Sequence, residues 1–181
     1  RIVLGALDDL TSSRLLELYD SFPSEIPRLR TTTRTAEMIK YASNALLATM
    51  ISFANEIGNL CSATGGIDVV DVMRGVHLSS YITPRSAEGE RVEAPIASFL
   101  GAGCGFGGSC LPKDVRALIS EGARRGQPMR ILNAVIETND AQPDEVMRLA
   151  EESAGDLHDR RVTVLGLAFK PATDDVRESP A

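Results

Sequence analysis

The chain has 181 residues, 43% hydrophobic and 24% charged, a balance that excludes a disordered or low-complexity protein. Its net charge of −6 removes the electrostatic case for nucleic acid or an anionic membrane surface, and no apolar run approaches the ~20 residues of a spanning helix. Three cysteines without a CxxC pair and only two histidines give no structural metal pattern, so no metal is expected and the thiols point to a reducing cytoplasm.

In chain order, residues 2–4 read as a short buried strand ending at Gly5. Residues 10–22 read as a helix with Leu15, Leu16, Leu18 and Tyr19 as its apolar stripe, and residues 28–32 as a second strand after Pro23 and Pro27. The strongest periodic segment is 35–63, where Ala36, Ile39, Leu46, Leu47, Met50, Ile51, Ala54, Ile57 and Leu60 recur at helical spacing. Gly65-Gly66 stops it. Such a helix is ~43 Å long at 1.5 Å per residue, enough to span a domain or bridge two. A short helix over 68–74 follows, then an irregular stretch over 77–110 with a polar insertion at 85–93. Residues 112–125 are predicted helical, as are 129–139 and 143–153, the last two forming one helix that restarts at Pro143. Val162, Val164 and Leu165 mark 161–167 as a strand of a parallel-sheet interior.

Three segments carry chemistry. The run from Gly101 to Asp114 places five glycines within eight residues, and glycine lets a backbone turn left-handed and approach a ligand closely. Pro112 suits the first turn of a helix, which puts Cys110 at the helix start, where free amides and the positive dipole end favour a thiolate. Lys113 adds positive charge, and Asp114, four residues beyond Cys110, lies one turn along on the same side. An activated nucleophile beside a proton acceptor is the expected arrangement. Cys61 and Cys104 read as packing residues. On the long helix, Lys40 and Asn44 are one turn apart and suited to hold an oxygen substituent or an oxyanion. The third segment, 166–180, follows a predicted strand, where α/β folds bind ligands, and Lys170 and Arg177 offer cations to phosphate or carboxylate.

Taken together, Thr35 to Asn44 (TAEMIKYASN), Gly105 to Asp114 (GFGGSCLPKD) and Gly166 to Pro180 (GLAFKPATDDVRESP) resemble the UDP-glucose/GDP-mannose dehydrogenase family in order and approximate spacing. The resemblance covers nearly the whole chain. It implies a mostly α fold: a helical central domain of the 6-phosphogluconate-dehydrogenase-like type, with a very long helix, flanked by short strands from truncated α/β domains. On this reading residues 1–32 are the end of an N-terminal NAD-binding domain, 33–158 the central dimerisation and catalytic domain, and 159–181 the start of a nucleotide-sugar-binding domain. The implied activity is NAD-dependent oxidation of a nucleotide-sugar C6 alcohol to a carboxylate through a cysteine thiohemiacetal and thioester. The implied catalytic residues are Cys110, Lys40, Asn44 and Asp114. Phe99, Gly101, Gly105, Phe106, Gly107, Phe169 and Lys170 would contact the sugar nucleotide, and Lys113 and Arg177 would approach NAD. A cytoplasmic homodimer through the long helix is expected, with neither nucleic acid nor membrane as partner.

The chain also departs from the family pattern. No GxGxxG turn precedes its first strand, and the family's glutamate of the first domain and late arginine of the last have no counterpart. Ala94 stands where some members carry an arginine lent across the dimer, and Arg85 or Arg91 would have to substitute. These 181 residues alone are therefore expected to bind NAD weakly and to turn over no sugar. Two other readings compete: a non-catalytic dimerisation module with a structural glycine loop, and a helical domain of the β-hydroxyacid dehydrogenase type. The latter leaves the Gly-Gly-Ser-Cys110 run unexplained.

Overall fold

A computed structural model describes residues 1–92, 94, 96–97 and 100–181. The chain divides into two compact units, Arg1–Asn44 and Ala45–Ala181.

The first unit is built on two parallel strands, β1 (Ile2–Gly5) and β2 (Arg28–Thr31), with Ile2 opposite Arg28 and Gly5 opposite Thr31. Helix α1 (Asp9–Glu17) joins them, as a parallel pair requires a crossover. Asp8 caps it, its carboxylate accepting from the Thr11 amide at 2.7 Å. This helix ends five residues before the predicted stop, and turns run on toward Pro23. The Arg28 guanidinium donates to the carbonyls of Tyr19 and Phe22, 3.0 Å each, and closes those turns against β2.

Helix α2 (Thr33–Thr64) begins in the first unit and continues through the second. Its 32 residues make a rod ~48 Å long. Thr32 caps it, Oγ1 accepting from the Thr35 amide at 3.2 Å. In the second unit follow α3 (Val69–His77), capped by Asp68, then α4 (Leu111–Arg124) and α5 (Arg130–Ala154). Pro143 lies inside α5, which passes through it as one helix. The core of this unit is where α2, α4 and α5 meet: Ala45, Ala48, Val115 and Val135 bury together with Phe106, whose ring enters from the glycine run. Small residues on α2 let the helices approach closely, and Ser52 Oγ donates to the Val135 carbonyl at 3.0 Å across the α2–α5 contact.

The predicted strand over 161–167 is not formed. The segment lies outside any assigned strand, with Val162, Val164 and Leu165 exposed. Alternating valines state a preference for a pleated surface, but a strand exists only where a neighbour takes up its N–H and C=O groups. Among the described residues β1 and β2 pair only with each other.

Candidate active site

The glycine run lies against α2 and α5 and is held by side-chain amides from both helices. Asn139 grips the backbone of Phe106 at both ends: Oδ1 accepts from its N–H at 2.7 Å and Nδ2 donates to its carbonyl at 3.0 Å. Gln142 Nε2 donates to the Gly103 carbonyl at 2.8 Å, and Asn55 Oδ1 accepts from the Gly103 N–H at 2.7 Å. Asn59 Nδ2 in turn donates to Gln142 Oε1 at 3.0 Å. These four residues escaped the sequence reading, because a polar residue at helical spacing looks like a solvated face. The available signal was that Asn55 adjoins Ala54 and follows Ile51 by one turn, amid an apolar stripe.

The other side of the run is covered by the segment 166–180. The Gly108 N–H donates to the Arg177 carbonyl at 2.8 Å. A β-carbon on Gly107 would stand 2.0 Å from the Glu178 carbonyl oxygen, and one on Gly108 would stand 2.8 Å from the Phe169 ring. Gly108 also has φ +79, a left-handed value. Two of the glycines thus exist to admit this strap of chain. By contrast, a β-carbon at Gly101 or Gly103 would meet nothing within 4 Å. The strap is tied to the helices by Arg116, which pairs with Glu178 at 2.8 Å and with Asp140 at 3.5 Å. Within it, the Phe169 N–H donates to the Asp175 carbonyl at 3.1 Å.

Run and strap enclose a cavity of about 660 Å³. Its wall includes Gly101, Gly105, Phe106, Gly107, Phe169 and Lys170, six of the seven residues expected at the sugar nucleotide, together with Cys110. The seventh, Phe99, lies outside the described residues. Leu47, Ile51 and Asn55 of α2 complete one side. Cys110 is exposed and is the N-cap residue of α4, with Pro112 in the first turn. Its Sγ lies 3.7 Å from Ser109 Oγ.

Asp114, Lys113 and Arg177 are not among the lining residues. Asp114 is fully buried, and Lys113 Nζ reaches its carboxylate at 2.7 Å while keeping 61% of its own side chain exposed. Arg177 is held by both oxygens of Asp175, at 2.8 Å each. This guanidinium holds the Asp175 carboxyl down at about 2. The Arg177 pKa is raised, first by the Asp175 hydrogen bond and also by the charge of Cys110, so the cation lies within electrostatic range of the sulfur. Lys40 and Asn44 fall in the first unit, one turn apart on α2, with Lys40 Nζ 4.9 Å from the centre of the Tyr41 ring. In the insertion, Arg85 and Arg91 face each other in an antiparallel bridge, and the Arg85 guanidinium donates to the Gly89 carbonyl at 2.9 Å. Cys61 is buried as expected, whereas Cys104 is exposed. No group of three metal-ligating side chains occurs among the described residues, and no described helix is long and apolar enough to cross a membrane.

Comparison with known proteins is consistent with this geometry. The profile of the UDP-glucose/GDP-mannose dehydrogenase family, central domain, matches residues 34–141. UDP-glucose 6-dehydrogenase AglM of Haloferax volcanii is 41% identical over the whole chain, which spans 39% of that protein. TuaD of Bacillus subtilis, also a UDP-glucose 6-dehydrogenase, is 42% identical over the whole chain, which spans 36% of it. The structure of a UDP-glucose dehydrogenase from Pyrobaculum islandicum superposes with a TM-score of 0.83 at 43% identity, over 98% of this chain and 38% of that one. The chain therefore spans less than two fifths of the length of these relatives.

Proposed function

The chain belongs to the UDP-glucose/GDP-mannose dehydrogenase family, and on that premise we propose that it carries the thiol half of an NAD-dependent nucleotide-sugar 6-dehydrogenase. The observation that carries the proposal is the exposed Cys110 at the start of α4, in a cavity walled by the glycine run, Phe169 and Lys170. A volume of about 660 Å³ lies within the range of small-molecule sites.

In the proposed reaction the C6 alcohol first becomes an aldehyde. The Cys110 sulfur adds to that carbonyl carbon, a C–S bond forms, and the oxygen takes a proton to give a thiohemiacetal. Loss of hydride from C6, with loss of the hydroxyl proton to a base, leaves a thioester. Water attacks it, the C–S bond breaks, and carboxylate and thiol are released. The hydride acceptor that both oxidations at C6 require would be supplied by bound NAD. Lys113 and Arg177 fit cations that meet a dinucleotide at its edge, since each remains mostly exposed while paired. The Cys110 sulfur stands at the positive end of α4, and Arg177 is a cation near it. Lys40 stabilises charge on the reacting oxygen, Asn44 orients substrate or water, and Asp114 assists proton transfer, as the family resemblance implies. Phe169 and the glycine backbone shape the sugar subsite.

The assembly we propose is a cytoplasmic homodimer. Leu46, Phe53 and Leu60 support it: they recur every seven residues on α2 and are 60%, 50% and 62% exposed. Light scattering of the chain and of Phe53→Asp tests this, with a dimer for the first and a monomer for the second as the expected result.

The test of the function is alkylation at neutral pH followed by peptide mass mapping. Cys110 labels ahead of Cys104 and Cys61, and UDP-glucose slows labelling of Cys110 alone. Equal labelling of Cys104 and Cys110, or no protection by UDP-glucose, overturns the reading in favour of a structural glycine loop.

A further inference from the structure

We propose that α3 borders a second ligand site, separate from the cavity at Cys110, that takes a small organic anion: a phosphate or carboxylate carried on an apolar ring. The proposal does not depend on the reading of the Cys110 cavity. Val70, Met73, Arg74 and His77 stand at i, i+3, i+4 and i+7 of α3, so they share one face. That face lines a cavity of about 610 Å³ together with Thr83 and Arg91 of the following loop. Of its wall only Gly101 also belongs to the cavity at Cys110. The volume lies within the range of small-molecule sites.

The chemistry of the wall is divided. Val70 and Leu78 remain exposed in it, an apolar surface that a ring would cover. Two cations meet this surface. Arg74 and Arg91 both line the cavity, and among the described residues neither is ion-paired, although the chain carries 25 acidic residues against 19 basic ones. Arg116, Arg148 and Arg177, by contrast, are each held by a carboxylate. Arg91 makes one long hydrogen bond, Nη1 donating to the Leu78 carbonyl at 3.4 Å, and most of its five N–H groups stay available. A guanidinium fork matches the paired oxygens of a phosphate or carboxylate. His77 adds a third polar group. Its Nε2 is buried and has no hydrogen-bond partner among the described residues, while its carbonyl is fixed by Thr83 Oγ1, which donates to it at 2.7 Å. A buried imidazole nitrogen without a partner is unfavourable and uncommon in native proteins. Because His77 lines the cavity, an oxygen seated there can complete it. A neutral ligand leaves the two arginines unused, and an inorganic anion leaves the apolar wall uncovered; an oxyanion on an apolar ring uses both.

NMR titration of the nitrogen-15-labelled 181-residue chain with phenyl phosphate, benzoate and inorganic phosphate tests the proposal. The two organic anions are expected to give saturable shifts at the amides of Val70, Met73, Arg74 and His77, in the parent and equally in Cys110→Ser. Arg74→Gln and Arg91→Gln are each expected to weaken binding by about tenfold, and His77→Phe, which keeps a ring and removes the nitrogens, by about threefold or more. Inorganic phosphate, lacking the ring, is expected to bind at least about tenfold more weakly than phenyl phosphate. Whichever organic anion binds more tightly identifies the preferred oxyanion, and either order supports the proposal. Should a glutamine variant lose the parent spectrum, Val70→Asp at an exposed position replaces it: a like charge on the wall is expected to abolish binding. Shifts absent from α3 or confined to the glycine run, equal affinity for inorganic phosphate, or parent-like affinity in any of these α3 or Arg91 variants overturns the proposal. None of these outcomes bears on alkylation of Cys110.

Discussion

Substituting Asn139 by leucine keeps most of the side-chain volume and removes both hydrogen bonds to Phe106. Those bonds, at 2.7 and 3.0 Å, serve the backbone of a residue that is only 5% exposed. Each is worth roughly 0.5–1.5 kcal/mol net, and a buried backbone group left unpaired costs a further ~1–3 kcal/mol. The sum for opening this part of the run is about 3 kcal/mol, which corresponds to roughly a hundredfold in an equilibrium constant. Hydrogen exchange of the Phe106 amide, followed by NMR, reads that opening directly, and it does so locally in a chain of two units, where a global unfolding energy is ill-defined. Asn139→Leu is expected to speed exchange at Phe106 by about a hundredfold. The control is Asn133→Ala on the same helix, whose amide donates only to the Met129 carbonyl one turn back at a solvent-exposed position. That substitution should stay within about 0.5 kcal/mol. A change below about threefold at Phe106 in Asn139→Leu would refute the view that the amide grip holds the run in place.

Other predictions follow from the same contacts. Gly107→Ala pushes a β-carbon to 2.0 Å from the Glu178 carbonyl, so the strap must lift, the Gly108–Arg177 bond breaks, and exchange at the Gly108 amide rises; Gly103→Ala, with open space around it, leaves that exchange unchanged. Asp175, held by Arg177 at about 2, contributes order to the strap that is fully present above the unfolded carboxyl value and lost as pH falls toward 2; an NMR titration of strap amides should show this transition, and Asp175→Asn should abolish it. With UDP-glucose and NAD, the 181 residues alone are expected to give no steady NADH absorbance; sustained turnover would show that the chain needs nothing further from the longer relatives.

The legible parts of this molecule are those whose periodicity carries its own explanation. Helix α2 could be read almost to its ends, because its apolar residues recur at 3.6 spacing and a glycine pair stops it. The cavity wall includes residues singled out by the glycine run and the helix-start Cys110, and, through the family resemblance, Phe169 and Lys170. Asn55, Asn139 and Gln142 were hidden because their role depends on which backbone they face, a property of the tertiary fold and not of spacing. The reason for Gly107 and Gly108 was hidden in the same way: each is explained by contact with the strap, at Glu178 and Phe169 respectively, far along the chain. The segment 161–167 misled because valine alternation records a propensity, while pairing depends on a neighbouring strand.

The central claim is that Cys110 is the nucleophile, and the most direct measurement is its reaction with the C6 aldehyde of UDP-glucose, carbon-13 labelled at C6 and mixed with the chain without NAD. The account predicts a new tetrahedral carbon signal from a thiohemiacetal, present in the parent and in Cys104→Ser and absent in Cys110→Ser. An unchanged aldehyde and hydrate spectrum with the parent, or an adduct that persists in Cys110→Ser, would contradict it.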